Sequence, residues 1–185
     1  MKKIFSLMLA AVLALGLTAM AWAVAEEPGA SGGTTYTDDD RITIEKCYRL
    51  VNDGTVSPAE TFHFSLTTLG VTDSTETLAT MPRFTDANGD LITGFDISFA
   101  EGEATAAGAV KSYTLMLPAY DTVGIYTYEI AEVVDDDAHT AGVTYNTQKL
   151  LLKVTVIQTE DGRIRVAAVH LGDEDGDKVG QVVNT

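Results

Sequence analysis

Three side chains that could react with one another fall where the alternation of the sequence calls for apolar residues. Ile42, Ile44, Tyr48 and Leu50 share one parity, and that parity also turns Lys46 inward. Tyr126, Tyr128 and Ile130 bring Glu132 onto their face at the end of YTYEIAE, and Val182 brings Asn184 onto its own. A buried Lys, Glu or Asn is costly unless it is paired or neutralised. If the three meet, desolvation lowers the lysine pKa and raises that of the glutamate, so both become neutral. A neutral amine is a nucleophile, and the asparagine carboxamide carbon is an acyl centre. A protonated Glu132 donating to the asparagine carbonyl oxygen would polarise it and steady the developing oxyanion. Ammonia leaves, and a Lys46–Asn184 isopeptide bond remains. Parity fits a second arrangement equally well: Lys46 snorkels at a sheet edge, Glu132 opens the acidic turn 133–137, and Asn184 lies in a frayed tail.

The elements that must position these residues read as strands. Phe62, Phe64 and Leu66 alternate with His63 and Ser65, and Tyr113, Leu115 and Leu117 repeat the pattern. Leu150, Leu152, Val154 and Val156 alternate with Leu151, Lys153, Thr155 and Ile157. Ile164, Val166 and Ala168 follow Asp161-Gly162, a strong hairpin signal. Further turn signals stand at Asn52-Asp53-Gly54 and Asn88-Gly89-Asp90, and no amphipathic helix of useful length is present. The expected fold is all-β, an immunoglobulin-like antiparallel β-sandwich from about Arg41 to the end. Residues 71–109 are less regular and predict long loops with short strands.

Charge and cysteine count narrow the function classes. The 185 residues carry 12 Lys and Arg against 27 Asp and Glu, for a net charge of −15. Such a surface repels phosphate backbones, so nucleic acid is not expected as a partner. The single cysteine allows no internal disulfide and no cysteine-rich zinc site. Lys2 and Lys3 precede an apolar run from Ile4 to Ala25 with small residues at Ala21-x-Ala23 and Ala23-x-Ala25, which predicts a secretory signal peptide over 1–25. An uncleaved N-terminal anchor is the other reading of that run, and the membrane is expected to be met only there. Its removal takes away two lysines and no acids, leaving −17 on 160 residues. Residues 26–40 are rich in Gly, Ser, Thr and acid and read as a flexible leader, followed by one domain over 41–185.

Five segments together resemble a known family: ITIEK at 42–46, PAETFHFSL at 58–66, GIYTYEIAEV at 124–133, GVTYNTQKLLLKVTV at 142–156 and the terminal VVNT. They are similar to the streptococcal-type pilin isopeptide-linkage domain of Gram-positive backbone pilins and surface adhesins, over roughly residues 41–185. The resemblance implies an extracellular, cell-surface structural domain with other pilin or cell-wall surface subunits as partners and no cofactor. It also implies that the first-strand lysine bonds to an asparagine of the final strand, assisted by the glutamate that closes the tyrosine-rich strand. By motif these are Lys46, Asn184 and Glu132, with Glu129, of opposite parity, the weaker candidate for the acid. The cross-link would serve in place of a disulfide and carry tension between the first strand and the last. There is no LPxTG-type sorting motif and no C-terminal apolar span, so the sequence reads as a fragment, a secreted protein or one held by its N-terminal segment.

Other constellations are weaker. Cys47 is expected to be a half-buried or exposed thiol rather than a thioester partner of Gln148 or Gln181. Asp173 to Asp177 lacks the further ligands of a calcium loop, and the acidic runs at 38–40 and 135–137 read as solvated turns. His63, His139 and His170 have no metal-ligand spacing, and no GxSxG, HExxH, P-loop or GxGxxG occurs, so a turnover enzyme is not expected. The rival function is a secreted β-sandwich module without a cross-link, binding sugar or host protein through loops between Val71 and Ala109. Exposed aromatics clustered there would favour it, but Phe84, Phe95 and Phe99 fit a core position equally well.

Overall fold

The computed structural model describes residues 40–52, 54–134 and 140–185. The signal segment 1–25, the leader up to residue 39, the acidic run 135–137 and His139 lie outside the described residues. Eight strands follow one another: β1 (Arg41–Tyr48), β2 (Glu60–Thr72), β3 (Gly94–Phe99), β4 (Ala109–Met116), β5 (Gly124–Glu132), β6 (Lys149–Gln158), β7 (Ile164–Gly172) and β8 (Val182–Asn184). They form a three-stranded sheet, β4-β1-β8, and a five-stranded sheet, β3-β2-β5-β6-β7. The expected immunoglobulin-like sandwich is the fold found. Every pairing between these eight strands is antiparallel except one, because β8 lies parallel to β1 with Lys46 opposite Val182 and Tyr48 opposite Asn184.

Period-2 alternation builds the core. Strand β5 is the centre of its sheet, and its inward residues Gly124, Tyr126, Tyr128, Ile130 and Glu132 are all buried. Phe62, Phe64 and Leu66 from β2 and Leu150, Leu152, Val154 and Val156 from β6 flank them. Ile44, Tyr48 and Leu115 close the core from the smaller sheet. The expected hairpin at Asp161-Gly162 joins β6 to β7, with Gly162 at φ +84° and Thr159 N donating to Arg163 O at 2.9 Å.

One local expectation needs correcting. The inward run Ile164, Val166, Ala168 breaks at a β-bulge: Thr155 faces Ala168 while Val156 faces Val166, so Ala167 is the extra residue. The extra residue reverses the parity. Ala168 is therefore exposed, and Val169 and Leu171 take the inward side. Between the end of β2 and the start of β4 the stretch 71–109 holds the short strand β3 and long loops, as expected, and it supplies much of the core. Met81, Phe84, Phe95, Ile97 and Phe99 are all buried. The three aromatics that would have favoured a binding face are thus packing residues.

Candidate functional site: a buried Lys–Glu–Asn network

The two sheets deliver Lys46, Glu132 and Asn184 to one place. Lys46 comes from β1, the central strand of the small sheet, and Asn184 from its parallel neighbour β8. Glu132 closes β5 in the opposite sheet, paired with Phe64. The side chains of Lys46 and Glu132 are 0% and 1% exposed, so water cannot stand in for a missing partner.

The polar atoms answer one another. Lys46 Nζ donates to Glu132 Oε2 and, at 2.6 Å, to Asn184 Oδ1. Asn184 Nδ2 donates to Glu132 Oε1 at 2.5 Å, closing the ring. A lysine only donates and a carboxylate only accepts, so the amide fits with its oxygen on Lys46 and its nitrogen on Glu132. The acid therefore faces the nitrogen that would depart, not the carbonyl oxygen that the sequence suggested. Beneath the lysine lie Phe62 and Phe64, with Nζ 4.2 Å and 5.4 Å from their ring centroids. Burial pushes the Lys46 ammonium below the ordinary lysine value, and the bond and charge of Glu132 hold it partly up.

The remaining sequence candidates lie elsewhere. Glu129 points to the other face of β5 and pairs with Lys149 at 3.0 Å. Cys47 is buried, contrary to the half-buried or exposed thiol expected. It points away from Lys46, but the turn at Gly108 returns over it so closely that an added Cβ there would lie 2.6 Å from Sγ. Gln148 is exposed, and Gln181 Nε2 donates to Glu45 Oε2 at 3.4 Å. Asp173 Oδ1 accepts Asp177 N at 2.8 Å within a tight turn. His63 pairs with Asp96 at 2.7 Å on the exposed face.

A residue of the quoted GVTYNTQ segment that sequence reasoning did not single out also reaches the network. The Asn146 backbone N–H donates to Glu132 Oε1 at 3.4 Å. No periodicity marks it, because it lies in an irregular segment ahead of β6.

The fold is that of pilin domains. This chain belongs to the family of Spy0128-like isopeptide-containing domains (FctA), which it matches over residues 42–184. Among solved structures it is similar to the major pilin of Streptococcus pyogenes, at 20% identity and a TM-score of 0.57, over 80% of this chain and 50% of that one. The S. pyogenes major pilin T-13 gives 17% identity and a TM-score of 0.58, with 80% and 52% covered. The T3.2 pilin gives 18% and 0.55, with 80% and 53% covered. The chain thus spans about half the length of these pilins. No curated protein matches it.

Proposed function

We propose that this is a structural, pilin-type domain of an exported cell-surface protein, and that it locks itself with a Lys46–Asn184 isopeptide bond. The observation that carries the reading is the closed, buried ring of Lys46, Glu132 and Asn184. Two charges held in such a place are costly, and transfer of a proton from Lys46 Nζ to Glu132 Oε2 removes both. The neutral amine attacks Asn184 Cγ, and negative charge gathers on Oδ1. Glu132 Oε1 lies against Nδ2, so the acid returns its proton to the departing nitrogen. The attacking Nζ gives its surplus proton to the Glu132 carboxylate, and the oxyanion collapses with cleavage of the C–N bond to Nδ2. Ammonia leaves, and Glu132 is left as the neutral acid beside the new amide. Each chain reacts once, without a cofactor. The signal peptide over 1–25 and neighbouring pilin or wall subunits as partners belong to the same reading.

An intact mass of the purified chain tests it. Wild type should be lighter than its sequence by one ammonia, while Lys46→Ala, Asn184→Ala and Glu132→Ala keep their full mass. A full-mass wild type would remove the cross-link from the proposal.

A further inference from the structure

The strand that carries Asn184 is three residues long. A strand this short has little pairing of its own to hold a reactant in register. One of its edges lies against β1, where Arg49 N donates to Asn184 O at 3.1 Å. Its other edge is occupied by residues 144–146. Thr144 N donates to Thr185 O, and Asn146 Nδ2 donates to Val183 O at 3.3 Å. The same asparagine gives its backbone N–H to Glu132 Oε1, and its Oδ1 accepts Gln148 N at 2.7 Å, which fixes the side chain's direction. Tyr145 sets its ring edge-on to Phe62, with centroids 6.0 Å apart, and Phe62 is the ring beneath the Lys46 amine.

We infer that Asn146 is a positioning residue for the cross-link, tying the acid to the strand that brings the acyl donor. This rests on the reading that Lys46 attacks Asn184. The main chain of Asn146 touches the acid and its carboxamide holds the donor strand, so one residue sets the spacing between proton carrier and leaving nitrogen. Small errors in such spacing weigh heavily on rate, because the reaction depends on near-attack alignment. Serine at 146 would keep an acceptor for Gln148 N yet be too short to reach Val183 O. Glutamine would keep the carboxamide donor.

The test follows the full chain in cell-free synthesis by time-resolved intact mass. Wild type should lose one ammonia, Asn146→Ser should lose it at least tenfold more slowly, and Asn146→Gln should fall between them. In a Lys46→Ala background, where no bond forms, Asn146→Ser should leave the urea midpoint unchanged. Equal rates for wild type and Asn146→Ser overturn the inference and leave the cross-link standing. Equal rates for the serine and glutamine variants, or a fallen midpoint in the Lys46→Ala background, also overturn it by reducing Asn146 to a structural role. If wild type keeps its ammonia, the cross-link reading itself fails and the inference goes with it.

Discussion

The two ends of β5 bury polar groups in opposite ways. Towards its start, the Tyr126 hydroxyl donates to Thr122 O at 2.8 Å and the Tyr128 hydroxyl to Pro82 O at 2.9 Å. Burial pushes Tyr128 up to about 12, while its contact with Tyr120 pulls the other way. Tyr120, whose hydroxyl lies 3.3 Å from that of Tyr128, is also pushed up, chiefly by burial. The Tyr126 and Tyr128 hydroxyls end on main-chain carbonyls that cannot take a proton from them. At the other end, two residues past Ile130, the carboxylate of Glu132 meets Lys46 and Asn184, groups that can exchange protons and bonds. A buried hydroxyl anchored on a main-chain carbonyl has no partner to react with, whereas the carboxylate of Glu132 lies among an amine and a carboxamide, the groups that the proposed cross-link would join. Strand β5 holds both in one alternating run.

The largest break in that contrast comes from Lys46→Ala. Loss of a closure between residues 138 apart should cost about 5 kcal/mol on the loop-entropy scale used for disulfides. Denaturant unfolding beside wild type reads it, and equal midpoints would mean that the reactive end contributes no more than the inert one.

Next in size is the pH dependence of ammonia loss, followed in chain recovered unfolded in urea and diluted into buffers. The reactive pair shares one proton, so its rate should be level while that proton is held and fall once it is lost. Burial lowers the Lys46 pKa, so the alkaline fall should begin below the ordinary lysine value of 10.5. Its slope should approach about tenfold per pH unit. A rate that keeps climbing through 10.5 would show simple amine attack and remove Glu132 as proton carrier.

Tyr128→Phe is the smallest change and sharpens the comparison from the inert side. Loss of its hydrogen bond should lower stability by about 1 kcal/mol, and the ammonia should leave at the wild-type rate. A slowed reaction would mean that the two ends of β5 are coupled.

Much of this arrangement was legible because side-chain parity is a local property. The alternation through Ile44, Tyr128 and Val182 marks Lys46, Glu132 and Asn184 as inward, and all three are buried, although parity alone fitted an edge, a turn and a frayed tail equally well. What parity cannot carry is the identity of a distant neighbour. The parallel pairing of β8 with β1 joins segments at opposite ends of the domain. The burial of Cys47 depends on a glycine turn some sixty residues away that no alternation announces. The bulge at Ala167 undid the parity reading of β7 from within. Asn146 escaped notice because its role comes from three hydrogen bonds to distant or irregular backbone and a carboxylate.

The spacing of the three reactants along the chain also has a consequence in time. A ribosome makes Lys46 first, Glu132 follows 86 residues later, and Asn184 arrives 52 residues after that. If Asn184 is the acyl donor, a chain that has not yet reached β8 cannot seal this domain in a wrong shape. On the reading proposed here, ammonia is released only when β8 has been synthesised and docked beside β1, so the bond would certify that this domain has folded.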